Sequence, residues 1–314
     1  DLPLNVSRET VQNNLIMQQL AKTIRGRVLR ELKNIAENDP LKYEKFWKEY
    51  GRAFREAIAT DPNVKSEVLP LFRYASSRSD GKLISLDHYI QQMPEGQREI
   101  YYVLGDDLKS VAHSPHLDPF KARNLEVLYW IDPLDALIAP LLTEYQGKTL
   151  RNIDDANLEL PEQKQEEKRP EETVTPEYDF NVLLSRVTKV LGERVVDVRA
   201  SKVLKDSPVR LVSPQGDRDR ERGRLSRYFD KDYQVPKKII ELNRSHPLIA
   251  NLARTLHNHP DSELVDLTIE QLYESALVQE GLHPNPAEML PRIQRLMTLA
   301  FENESKETAS DSSH

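Results

Sequence analysis

The 314 residues contain no cysteine, so no disulfide can staple the chain and no thiolate can hold a metal. That lack fits a reducing compartment. Glycine is scarce, at 10 residues, and never clusters into a loop that cradles phosphate. No His-Glu-x-x-His zinc pattern appears either. No apolar run approaches the roughly 18–20 residues that cross a bilayer, and no secretory signal is visible. An excess of basic charge is missing as well: the formal net charge is −7, unlike the basic footprint of a nucleic-acid binder. The expectation is a chain without membrane or nucleic-acid partners, long enough for two or three domains.

What is present begins at the first residues. Pro3 keeps Leu2 extended, and Ser7 is a good helix N-cap. Val11, Leu15, Ile16, Leu20, Ile24, Val28, Leu32 and Ile35 then recur at helical spacing. Arg8 sits badly there, because a cation in the first turn opposes the helix dipole unless an anion lies nearby. It reads either as a solvated surface arginine or as half of an anion site at the helix start. After a break at Asn38-Asp39-Pro40, Tyr43, Phe46, Trp47, Tyr50 and Phe54 form an aromatic stripe, read as core packing. A short helix is expected over Val64 to Arg73.

Beyond a polar loop from Ser76 to Gly81, β-rich runs at Ile100–Leu104 and Glu126–Ile131 flank helical stretches from Asp107 to His113 and from Leu117 to Arg123. Strands alternating with helices indicate a βαβ unit with buried strands. A helix from Pro133 to Tyr145 and a strand over Lys148 to Ile153 complete the subdomain. Asp132, just before a proline, reads as a helix cap rather than a catalytic acid. Residues 160–177 carry Gln, Glu, Lys, Pro and Thr with few large apolar residues, which predicts a flexible linker. A helix from Tyr178 to a Gly192 stop follows, then half-buried strands at Val195–Arg199 and Val209–Val212.

Residues 216–234 interleave Arg218, Arg220, Arg222, Arg224 and Arg227 with acids, so a solvated segment is the default; only Leu225, Tyr228, Phe229 and Tyr233 offer apolar surface. Three helices are expected over Pro247–His257, Leu267–Gly281 and Pro286–Phe301, then a polar tail. Their stripes, Ile269 and Leu272 with Ala276 and Leu277, and Leu290, Ile293 and Met297 with Ala300 and Phe301, exceed what one short domain can cover. His257 and His259 have no evident carboxylate partner for a metal site and read as a helix end. The fold class is α+β and helix-rich. A helical part (1–75) and a small α/β subdomain (76–159) precede the linker (160–177). A mixed α/β domain ending in a helical bundle (178–302) and a disordered tail (303–314) follow.

Several stretches resemble one family. Asp1-Leu-Pro-Leu-Asn-Val-Ser-Arg-Glu9 with Gln12-Asn13 is similar to the signature of the heat-shock protein 90 chaperones. Leu71-Phe-Arg-Tyr-Ala-Ser-Ser77, Met93-Pro-Glu-Gly-Gln97, Ser114-Pro115, Asp132-Pro-Leu-Asp135 and Glu144-Tyr-Gln-Gly-Lys148 follow in the family's order. So do Val203-Leu-Lys-Asp-Ser-Pro208 and Glu280-Gly-Leu-His-Pro-Asn-Pro286. The tail lacks the acidic ending of eukaryotic cytosolic relatives, so the cytoplasmic bacterial branch, high-temperature protein G, is the nearest resemblance. The resemblance implies a middle-domain remainder plus a C-terminal dimerisation domain, the nucleotide-binding domain lying upstream. It implies ATP with Mg as cofactor, Arg8 as catalytic residue and Arg8 with Gln12 at the γ-phosphate. It further implies a homodimer, with client proteins and co-chaperones as partners; the two apolar stripes place the dimer contact at Ile269, Leu272, Leu290, Ile293 and Met297. No turnover is expected from this piece alone. The alternative is an ATP-independent dimeric scaffold, which has no reason to hold Arg8 and Gln12 on one helical turn facing an anion.

Overall fold

A computed structural model describes residues 15–155, 158, 160, 174–214 and 233–311. They form the helix-rich α+β fold indicated by the sequence. The chain divides into two compact units, Asp1–Tyr74 with Leu83–Gln91, and Ala75–Lys82 with Gln92–His314.

In the first unit, α1 (Leu15–Asn38) and α2 (Pro40–Thr60) meet at Asp39. Its carboxylate caps α2 by accepting from the Lys42 amide at 3.1 Å, and Pro40 takes a first-turn position that needs no donor. The aromatic stripe is only partly core. Tyr43 and Trp47 are buried, Phe46 and Phe54 half-buried, and Tyr50 is 59% exposed. The Tyr43 hydroxyl donates to the Leu71 carbonyl at 2.7 Å; burial pushes its pKa up to about 12, against the pull of nearby Arg73. Buried Arg55 lays its guanidinium 5.3–5.6 Å from the rings of Trp47, Phe72 and Tyr74, a cation–π arrangement. The single helix expected over Val64 to Arg73 is instead α3 (Lys65–Val68) between 3-10 turns at Pro62–Val64 and Leu69–Leu71. Pro70 has no N–H to continue the ladder. A further helix, α4 (Leu86–Gln92), buries Leu86 and Tyr89.

The second unit opens with a five-stranded sheet of β1 (Ala75–Ser76), β2 (Glu99–Leu104), β3 (Leu128–Trp130), β4 (Glu144–Tyr145) and β5 (Lys148–Asn152), in the order β1-β3-β2-β5-β4. β2 runs parallel to both β3 and β5. The β2–β3 crossover carries α5 (Leu108–Ala112) and α6 (Asp118–Ala122), the βαβ unit read from the sequence. Asp132 caps α7 (Pro133–Ile138) by accepting from the Leu134 amide at 2.9 Å, and Asp135 accepts in return from the Asp132 amide at 3.1 Å. The helix expected to reach Tyr145 stops early, because Pro140 interrupts its donors. Glu144 and Tyr145 instead pair antiparallel with β5 across Gln146 (φ 49°) and Gly147 (φ 73°). Two successive left-handed residues are what a two-residue hairpin turn requires, and glycine takes the second without strain.

The remainder comprises α8 (Glu177–Leu191), which ends at Gly192, then β6 (Val195–Ala200), β7 (Val209–Val212) and β8 (Lys238–Leu242). Helices α9 (Pro247–Asn258), α10 (Glu263–Gln279) and α11 (Leu290–Asp311) complete it. β8 is the middle strand, parallel to β6 and antiparallel to β7, and buried along its length. Phe180, Leu183, Leu211, Ile240, Leu252 and Ile269 centre the core around it. The 161–173 part of the expected linker and the arginine-rich residues 215–232 lie outside the described residues. Thr175 is buried and donates to the Arg244 carbonyl at 2.8 Å, so order starts before Tyr178. α11 continues past Glu302, where the polar tail is expected, to Asp311; the Glu, Lys and Ala there are good helix formers.

Polar contacts join the α/β subdomain to the C-terminal part. His116 Nε2 meets Glu280 Oε1 at 2.6 Å with both side chains buried. The Asp118 carboxylate accepts from the amides of Asp206 and Ser207 at 3.2 and 2.8 Å. Gly281 (φ 66°) passes so close to Asp106 that a Cβ there would lie 2.5 Å from a carboxylate oxygen, which accounts for glycine in the Glu280-Gly-Leu-His283 run.

Candidate functional site

Arg8 and Gln12 lie outside the described residues. The site that the structure does build is the pair α10–α11. Along α10, Val265, Ile269, Tyr273, Ala276 and Leu277 repeat at three- and four-residue steps and are buried, as one apolar helix face should be. Its acids Glu263, Glu270 and Glu274 are held by arginines. Arg295 of α11 grips Glu263 with two bonds, at 3.2 and 2.7 Å. Arg292 of α11 reaches Gln271 at 3.3 Å, Glu270 at 3.7 Å and Glu274. Arg194 adds a bidentate grip on Glu270, at 2.7 and 2.6 Å. The bond from Arg295 holds the Glu263 carboxyl below the usual carboxylate range, and burial pushes the Tyr273 hydroxyl up.

These grips fix the rotation of α11. At about 100° per residue, Arg292, Arg295, Leu296 and Leu299 share one side of the helix. Leu290, Ile293, Met297 and Phe301 share the other. Leu290, Met297 and Phe301 are 56%, 58% and 69% exposed, and Ile293 is half-buried. Of the five residues expected at a dimer interface, Ile269 is covered within its own chain at 1% exposure, and Leu272 packs half-buried against the same core. The exposed face is therefore Leu290, Ile293, Met297 and Phe301. Its acidic and basic anchors were not legible from spacing, because each pair bridges two helices.

A cavity of about 410 Å³ lies beside this pair, with Val235, Tyr273, Leu277 and Pro284 among its walls. Its charged lining groups already have partners: Arg194 with Glu270, His283 with Glu274 at 3.5 Å, and Lys237 with Glu193 at 3.9 Å. His257 is bonded to Asp179 at 2.9 Å and His259 ends α9. No group of three metal-ligating side chains occurs among the described residues. No described helix is long and apolar enough to cross a membrane. What the arrangement presents is an exposed apolar face on a helix anchored by its arginines.

A three-stranded mixed sheet beside this helical pair, with a βαβ subdomain ahead of it, agrees with the motif order that the sequence carries. A family model described as "Hsp90 protein" matches residues 1–314, and the chain belongs to that heat-shock protein 90 family. The chaperone protein HtpG of Nitratidesulfovibrio vulgaris is 34% identical over 304 residues, covering 95% of this chain and 47% of that protein. HtpG of Myxococcus xanthus is 38% identical over 283 residues, covering 90% and 43%. That of Ehrlichia canis is 36% identical over 292 residues, covering 90% and 45%. The chain spans about half the length of the curated relatives it matches.

Proposed function

We propose that this chain is the middle and C-terminal portion of an ATP-driven chaperone that binds and remodels client proteins in the cytoplasm, and that it acts as a homodimer. Membership of the Hsp90 family supports the chaperone reading. The observation that carries the dimer is the apolar face Leu290–Ile293–Met297–Phe301, turned away from α10 by the Arg292 and Arg295 grips. A twofold axis sets this face against its own copy and closes the assembly; a stable interface of this kind covers about 1,200–2,000 Å² in total.

Arg8 and Gln12 are assigned to the γ-phosphate of ATP, bound with Mg mainly by an upstream domain. The nucleotide supplies the phosphoryl group whose transfer to water drives the cycle. A planar guanidinium fixed at that phosphate stabilises the redistributed charge more than it stabilises bound ATP, so it accelerates hydrolysis rather than tightening binding. In a full-length protein, Arg8→Ala leaves nucleotide Kd nearly unchanged and lowers single-turnover hydrolysis at least about tenfold. Arg8→Lys does not restore it fully, because an ammonium lacks the fork. Gln12→Ala, which removes a neutral group, has the smaller effect. Undiminished hydrolysis in Arg8→Ala would overturn the catalytic assignment and leave Arg8 as a structural or docking residue.

A further inference from the structure

We propose that Met297 is a peroxide-reactive modification site whose oxidation holds the chain in its free-protomer form. This rests on the self-association reading above. With no cysteine anywhere in the chain, no thiol competes for a mild oxidant, and thioethers become its first targets. Among the methionines whose side chains are described, Met289 is 7% exposed and Met93 half-buried, whereas Met297 is 58% exposed. It also sits in the middle of the apolar face, four residues from Phe301 and from Ile293.

The reaction is a two-electron oxidation. The Met297 sulfur attacks hydrogen peroxide, the O–O bond breaks, one oxygen forms the S=O bond and the other leaves as water; sulfur is oxidised and peroxide reduced. A flexible apolar side chain thereby becomes a polar one with a strong acceptor. Its neighbours on the stripe, Leu290, Ile293 and Phe301, carry no side-chain donor, and the arginines of α11 point the other way, into α10. Closing two such faces strips water from two sulfoxides at once without replacing their hydrogen bonds, which opposes association. Within a single chain the change costs little, since Met297 already faces water. Association and oxidation therefore exclude one another: the dimer shields the sulfur, and the sulfoxide disfavours the dimer.

The test treats the full chain with dilute hydrogen peroxide, maps sulfoxide by peptide mass spectrometry over time, and measures the dimer dissociation constant before and after. Met297 is expected to oxidise before Met289 and Met93, faster at low protein concentration, and to raise the dissociation constant about tenfold or more. Met297→Leu is expected to dimerise normally and to keep its dissociation constant through the same treatment. Methionine sulfoxide reductase should restore the oxidised wild type. An oxidised wild type that dimerises unchanged overturns the inference while leaving the dimer reading intact. So does a Met297→Leu chain that remains peroxide-sensitive. An untreated chain that is monomeric at every concentration overturns the dimer reading itself, and this coupling with it.

Discussion

At the scale of single residues, the clearest constraint is Glu241 on β8. Its carboxylate accepts from Arg199 at 2.9 and 2.7 Å and from Arg210 at 2.7 Å, with Glu241 and Arg210 both buried. Burial works to raise its pKa, but the two guanidiniums outweigh it and hold the carboxyl below the usual range. The native state therefore keeps this proton off at a pH where the unfolded chain binds it. The resulting stability is complete above the unfolded value, about 4.3, and is lost as pH falls through the lower folded value. Glu241→Ala leaves Arg210 buried without this partner and is expected to destabilise by about 3–5 kcal/mol, read as a lowered urea midpoint at neutral pH. The same variant should lose part of the acid-side fall in stability, and an unchanged acid limb would refute the linkage. None of this was legible in the sequence, because Arg199, Arg210 and Glu241 come from three strands and no local spacing connects them. Asp132, by contrast, was legible as a cap, since its partners lie within one turn.

At the scale of elements, α11 and the β4–β5 hairpin make separate predictions. Leu290→Asp places a charge where one chain exposes its side chain, so the protomer should stay folded while self-association fails. Circular dichroism should show an unchanged protomer, and sedimentation equilibrium at micromolar concentration should show a monomer mass; a persistent dimer would move the interface elsewhere. Gly147→Val puts a β-branched residue at φ 73° and is expected to cost roughly 1–2 kcal/mol, seen as a lower thermal midpoint. The apolar stripes, the βαβ alternation and the Gly192 stop were readable because period and punctuation are local properties. β8 was not. Lys238-Ile-Ile-Glu-Leu242 lacks clean alternation, and its two charged residues look solvated until Ser213 is found 2.7 Å from Lys238 and two arginines on Glu241. The helix over-extended to Tyr145 failed for the converse reason: the apolar pattern ran on, and one proline outweighed it.

At the scale of the molecule, each half around residues 160–177 has its own sheet, and the contacts between the halves include a buried His116–Glu280 pair and an Asp118 carboxylate on two amides. A fragment of residues 1 to about 175 is therefore expected to fold alone and remain monomeric, since polar groups uncovered by the cut can be rehydrated. A cooperative unfolding transition would support this boundary, and aggregation would count against it. The order of strands in the C-terminal sheet has a consequence for how the chain is made. β6 and β7 leave the ribosome first, but they do not pair with each other; both wait for β8, which lies between them. Until Leu242 has emerged, the growing polypeptide carries two strands with unsatisfied edges and a helix, α8, with no completed sheet to cover. A nascent chain halted in that interval has the exposed surface that a chaperone binds, so this protein passes through the condition of a client during its own synthesis.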